Sequence, residues 1–247
     1  MALTLQKVSQ DHLPGQSVDC VVFGFRKNQL QILLLKWKYV DDWGLPGGFI
    51  RKNESFDVAA RRVLKDRTGL DNVYLKQFYT FGDASRRQAS EVIDSLSQHL
   101  EPEDQHLLAF LKQRYVTTGY FALVQAEDTN LSTDIMSESC EWVALDEIPP
   151  LFLDHEAILS KALKTIRTEL SHLPIGMQLL PKRFTLSQLK KIYEAILEEE
   201  LDRGNFQRKM LKMGHLIRLE KQQSGAAHRA PYLYTFDKKN YNRLLGM

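Results

Sequence analysis

The first clear pattern along the chain is apolar and β-branched from Val18 to Phe25; it breaks at Arg26-Lys27-Asn28 and resumes from Leu30 to Lys36. Two apolar runs about a polar turn predict a β-hairpin. A Gly/Pro-dense loop between large apolar residues follows, Trp43-Gly-Leu-Pro-Gly-Gly-Phe-Ile50. After Asn53-Glu-Ser55 the apolar positions Phe56, Ala59, Ala60, Val63 and Leu64 recur at helical spacing, and Gly69 is placed to end that helix. Strand character returns from Val73 to Phe81, from Arg114 to Gln125 and from Ser139 to Leu145. Pro149-Pro150 stops the last of these before Asp154 starts a helix reaching Leu170. Between Gln88 and Gln113 the helical spacing of Val92, Leu96, Leu107, Leu108 and Leu111 is broken by Glu101-Pro-Glu-Asp104, which reads as an insertion between strands. Strands alternating with helices predict an α/β layered domain over residues 1–150, followed by a linker helix over 151–173.

After Leu173-Pro174 the pattern changes. Thr185-Leu-Ser-Gln188 is a capping-box sequence, in which the threonine hydroxyl takes the N3 amide and the glutamine reaches back; it opens a helix through Glu199. A second helix runs from Asp202 to Gly214, with Phe206, Met210 and Met213 on one face and Asn205, Arg208, Lys209 and Lys212 on the other. Leu216 to Leu219 and Pro231 to Phe236 read as two strands, in the second of which Tyr232 and Tyr234 suit core or interface. Helix, short turn, helix, β-hairpin is a winged helix-turn-helix layout for residues 174–247.

Composition adds little until it is divided. Of 247 residues 43% are hydrophobic and 26% charged, the balance of a globular chain and not of a fibrous or disordered one. The apolar runs are far below the ~20 residues that span a bilayer, and the N-terminus lacks a leader pattern, so no membrane partner and a cytoplasmic location are expected. Cys20 and Cys140 are too few for a disulfide framework or a metal quartet. The net charge of +2 hides an asymmetry: residues 172–247 carry 14 Lys/Arg against 7 Asp/Glu, net +7, while residues 1–171 carry 19 against 24, net −5. A small basic module on a larger acidic body points the tail toward a polyanion.

Gly48-(x5)-Glu54-(x7)-Arg62, with Gly69-Leu70 behind it, reproduces the frame of the Nudix box over all its positions. In active members the later glutamates of that frame lie a turn apart on one helix face and hold Mg²⁺ on a diphosphate. Here those positions carry Val63, Asp66 and Arg67. Valine cannot ligate and a guanidinium repels the metal, so no catalytic residue, no metal site and no cofactor are expected. A cation there can still attract phosphate. Arg86-Arg87 would add anion contacts, although adjacent arginines in a polar loop are also what a solvated surface looks like.

With Trp43-Gly-Leu-Pro-Gly-Gly-Phe49, Thr80-Phe-Gly-Asp83, Gly119-Tyr-Phe-Ala-Leu123, Trp142, Asp154-His155 and Leu180-Pro-Lys-Arg-Phe-Thr-Leu186, the whole chain resembles the Nudix-related transcriptional regulators. The resemblance implies a Nudix-like α/β/α sandwich that senses an effector, followed by a winged helix-turn-helix that binds a double-stranded DNA operator as a homodimer. It further implies control of NAD biosynthesis genes with ADP-ribose as effector, or, in related members, of sugar catabolism with a sugar. The expected effector contacts are Arg67, Arg86, Arg87 and Trp43. For DNA, Asn205, Gln207 and Arg208 suit base edges, Arg203, Lys209 and Lys212 suit phosphates, and His228 and Arg229 lie where a wing reaches the adjacent groove. One departure stands out: where the family has a short Arg-Asp-Pro-Arg-Gly-like link, this chain has Arg86-Arg87-Gln88 and the inserted residues. The rival expectation is a true Nudix hydrolase of nucleoside diphosphate derivatives with metal ligands from outside the box; a non-DNA scaffold or RNA-binding protein has only the charge in its favour.

Overall fold

The computed structural model describes residues 10–38, 41–84, 86, 105–134, 136–170, 175–222 and 230–240. The chain forms two compact units: residues 1–23, 31–122 and 129–162 make the first, and residues 24–30, 123–128 and 163–247 the second.

The predicted hairpin is β1 (His12–Arg26) with β2 (Gln29–Trp37). Its two turn residues, Lys27 and Asn28, have φ of 52° and 62°, the left-handed pair that a two-residue type I′ connection needs. A single sheet is then ordered β3-β2-β1-β6-β5, with β3 at Trp43–Gly44, β6 at Val116–Val124 and β5 at Leu75–Phe81. β4 (Gly47–Arg51) pairs with β1, and β7 (Ser137–Ala144) pairs with β2. Ile32 to Leu35 are buried without alternation, which a strand shows when both faces of its sheet are covered.

One cover is α1 (Phe56–Thr68), which turns Ala59, Ala60, Val63 and Leu64 inward. Two alanines at the contact let the helix approach until the Cys20 thiol lies 3.8 Å from the Ala60 carbonyl. The ends follow the sequence. The Ser55 hydroxyl accepts the Val58 amide at 3.3 Å, and Gly69, at φ 77°, donates its amide to the Lys65 carbonyl at 2.8 Å. The expected insertion is partly built into the core: α2 (Gln105–Leu111) buries Phe110 edge-on to Phe49 at 5.0 Å, while residues 87–104 lie outside the described residues. The chain then reaches α3 (His155–Leu170).

In the second unit, β8 (Phe184–Thr185) and α4 (Leu186–Leu197) are joined by the predicted capping box: the Gln188 amide donates to the Thr185 hydroxyl at 3.2 Å and the Thr185 amide to the Gln188 carbonyl oxygen at 2.8 Å. α4 presents Leu189, Ile192, Tyr193 and Ile196 to the core; α5 (Arg203–Lys212) answers with Phe206 and Met210, the Phe206 ring lying edge-on to Tyr193 at 5.2 Å. β9 (Leu216–Lys221) and β10 (Tyr232–Phe236) form the hairpin. The sequence pattern did not show β8, which completes a three-stranded sheet against β10; two residues are too few to carry a period. In the same unit Arg167, on the second half of α3, donates to the Ile196 carbonyl at 2.7 Å and pairs with Glu198 at 2.6 Å, capping the end of α4. No described helix is long and apolar enough to cross a membrane.

Candidate effector cleft and nucleic-acid interface

Two arginines, Arg62 and Arg67, tie the box together. Arg62 donates to both Glu54 oxygens, at 2.5 and 3.0 Å, and to the Phe49 carbonyl at 2.8 Å; its other arm lies 3.5 Å from Asp66. The Arg51 amide donates to Glu54 as well, at 2.8 Å. Hydrogen bonding from Arg62, chiefly, holds the Glu54 carboxyl below its ordinary range. The two carboxylates that the box retains are therefore both engaged by one guanidinium.

The two replaced positions have new work. Val63 is buried under the loop and rests on Gly48, where an added Cβ would come within 3.0 Å of it. Arg67 donates Nε to the Gly47 carbonyl at 3.0 Å, forms an ion pair with Asp134 and lies over the Trp37 ring at 5.5 Å. Its side chain is only 18% exposed. A residue expected to meet a ligand phosphate thus already neutralises an internal carboxylate and ties α1 to the glycine loop. Asp134 is placed by its own segment, which reaches back to the helix end through the Ser132 amide on the Thr68 carbonyl at 3.0 Å.

Arg86 is not solvated. With 8% side-chain exposure it holds Asp154 bidentately, at 2.6 and 3.0 Å, donates to the Tyr115 carbonyl at 3.0 Å and lies 3.8 Å from Asp19. The charge of Arg86, expected to meet an effector anion, is shared by two carboxylates of the same chain. Arg87 lies outside the described residues. Trp43 is half-buried, with the Lys36 ammonium 5.8 Å over its ring; Lys36 itself pairs with Asp41. Among the described residues, no group of three or more His, Cys, Asp or Glu side chains is arranged to hold a metal ion.

Asp19 anchors a buried cluster that the pattern did not single out. Thr117 donates to it at 2.7 Å, His155 Nε2 stands 3.6 Å away, and Gly47 lies so close that a Cβ would fall 2.1 Å from its Oδ1. His155 Nδ1 accepts the Leu45 amide at 2.9 Å, so a neutral ring carries its proton on Nε2, toward Asp19. Burial lowers the His155 pKa and keeps it neutral. The signal available in the sequence was a lone carboxylate inside the apolar run Val18-Asp-Cys-Val-Val22.

On the basic module, Asp202 caps α5 by accepting the Asn205 amide at 2.8 Å. Arg203, Asn205, Gln207, Arg208, Lys209 and Lys212 are all exposed, as the helical face predicts, and Asn205 and Arg208 hydrogen-bond to each other. His228 and Arg229 fall outside the described residues. In β10, Tyr232 is 40% exposed with the Arg218 guanidinium 4.6 Å and the Lys221 ammonium 5.4 Å from its ring; Tyr234 is buried. Arg218 and Lys221 are cations of the wing that were missed, because neither lies in the expected loop.

Residues 13–165 match the NUDIX domain family and residues 176–236 the NrtR DNA-binding winged helix domain. The ADPR responsive transcriptional repressor NtrR of Acinetobacter baylyi is 30% identical over 236 residues, covering 93% of this chain and 84% of its own. The chain belongs to the NrtR family of Nudix-related transcriptional regulators. The crystal structure of Shewanella oneidensis NrtR complexed with a 27mer DNA shares the fold with a TM-score of 0.67 at 23% identity, over 92% of this chain and 95% of that one. A MutT/nudix family protein from Enterococcus faecalis does so with a TM-score of 0.67 at 20% identity, over 96% and 93%. For an NrtR-type chain the two regions with matched families coincide with the box-bearing sheet and with the basic module, where the structure places the two candidate sites.

Proposed function

We propose that the chain is a repressor-type regulator whose Nudix domain binds an ADP-ribose-like nucleotide without hydrolysing it and whose winged helix binds a double-stranded DNA operator as a homodimer. The observation that carries the silent, ligand-binding reading is at position 67. A guanidinium bonded to the Gly47 carbonyl and paired with Asp134 occupies a position where a catalytic Nudix helix presents a metal-binding carboxylate. Val63 removes a second ligand, and Arg62 occupies the remaining two carboxylates. Of the two box carboxylates, Glu54 is held by Arg62 and only Asp66 stays half exposed, so on this reading binding does not need Mg²⁺. Trp43 is the candidate stacking residue, and Arg67, partly exposed beside Asp134, and Arg87 are the candidate cations for the phosphates. The protein acts where the DNA is, in the cytoplasm, and we take residues 1–150, 151–173 and 174–247 as its effector, linker and DNA-binding parts.

The relative from A. baylyi is named for its response to ADPR, which makes ADP-ribose the first effector to test. ADP-ribose at 100 times its Kd should stabilise the native protein by about 2.7 kcal/mol, with the same midpoint shift in EDTA as in Mg²⁺. NAD, pentoses and sugar phosphates serve as comparison ligands. Release of AMP at roughly 1 per second or faster, dependent on Mg²⁺, would establish the hydrolase instead.

A further inference from the structure

A continuous set of contacts runs from the box to the first turn of α3. Arg67 holds the Gly47 carbonyl; the Pro46 carbonyl accepts the Cys20 amide at 2.8 Å; the Leu45 amide donates to His155; the Trp43 carbonyl accepts the Phe152 amide at 2.9 Å. Trp43 also bridges to Leu151. The five residues from Trp43 to Gly47 therefore lie between the arginine of the box and the start of α3, bonded to both. Arg86 closes the set from the other side by gripping Asp154, the residue just before α3.

We propose that Arg86 and His155 are positioning residues that report movement of the Trp43–Gly47 loop to α3, with Arg86 dividing its guanidinium between Asp154 and Asp19. This rests on the effector reading given above. The cluster holds both carboxylates within reach of Arg86. In the structure Arg86 is bidentate on Asp154 and stands off Asp19 at 3.8 Å. Gly47 crowds Asp19, and His155 faces Asp19 only while the Leu45 amide fixes its ring. A ligand that shifts the loop moves both neighbours of Asp19 together, exposes that carboxylate to Arg86 and loosens the grip on Asp154. One cation between two carboxylates in a buried site passes between discrete pairings rather than settling midway, because an unpaired buried charge is strongly disfavoured. The first half of α3 belongs to the first unit and its second half to the unit that holds the winged helix, so α3 is the covalent route from the loop to the DNA-binding part.

The test measures the affinity of the full-length protein for ADP-ribose, with and without a duplex that the protein itself has selected from random-sequence DNA. The wild-type ratio of the two affinities should be at least about fivefold. In Arg86→Gln the affinity for ADP-ribose without DNA should stay close to wild type while the ratio falls toward 1; Arg86→Lys, which keeps one charge, should retain part of the ratio. Asp154→Asn, which keeps an acceptor for Arg86 but not its charge, should lower the ratio as well, and it decides the matter if Arg86→Gln does not fold. An unchanged ratio in the folded variants overturns the proposal. So does a loss of about tenfold or more in ADP-ribose affinity without DNA, which would make Arg86 an effector contact. A wild-type ratio of 1 is different: it removes the coupled effector reading itself, before any variant is made.

Discussion

Single residues decide what the box does. Arg67 shows how an arginine at a box position serves the structure: it lies against Asp134, the Gly47 carbonyl and the Trp37 ring at once. Arg67→Ala should therefore lower stability by about 2 kcal/mol, less than the loss for a fully buried pair because both side chains keep some solvent, and the urea midpoint is the measurement. A variant as stable as the parent would make the pair incidental. His215 gives a prediction in pH. It is fully buried, stacks on Phe236 at 5.8 Å, has no well-formed hydrogen bond at either ring nitrogen, and burial pushes its pKa down to about 4, opposed in part by the Met213 backbone. The unfolded chain, with an ordinary histidine near 6.5, binds the proton more readily than the native one. The stability of the winged helix is then complete above pH 6.5, falls as pH drops toward 4 and levels off below it. Hydrogen exchange in β9 and α5, corrected for the intrinsic pH effect, should show that loss, and His215→Phe should flatten it.

At the scale of elements the same helix face performs two tasks. α5 turns Phe206 and Met210 inward, which fixes the rotation that leaves Asn205, Arg208 and Lys212 outward. Arg208 donates to Asn205, so the two side chains sit together on the face of α5 proposed to meet a major groove. Arg208→Ala should cost about 1–3 kcal/mol on the preferred site and relax its sequence; Lys212→Ala should weaken all sequences alike and reduce the salt slope by about 1. Equal effects of the two on random DNA would remove Arg208 from base recognition. Elements such as α5 were legible because their signals are local: the Thr185–Gln188 box, Gly69 after α1 and the apolar period of α4 each lie within a turn or two. The polar cluster was not, because Asp19 meets Thr117 and His155 only after β1, β6 and α3 have packed, and no short-range period relates them. The pairing of Arg86 was hidden for the same reason. Its partner Asp154 lies 68 positions along the chain, and two adjacent arginines in a polar stretch carry no mark of a buried pair.

For the whole molecule, charge and length set the demand on the operator. Net −5 over residues 1–171 disfavours a duplex and net +7 over the rest attracts it, so charge favours DNA contact through the winged helix. One recognition helix of ten residues reads only a short half-site. Two copies related by a two-fold axis read a palindrome, whose half-sites lie about one turn, or roughly 34 Å, apart. Spacing then becomes a measurable property of the assembly. Inserting about five base pairs between the half-sites of a selected operator moves one of them to the opposite side of the duplex, where a dimer of fixed geometry engages only one half at a time; affinity should drop toward that of a single half-site. Inserting a full turn keeps both halves on the same face but lengthens the span, so it should recover affinity only if the α3 connections stretch. If affinity is indifferent to every spacer, each winged helix binds by itself, and an effector acting on α3 would have no spacing to change.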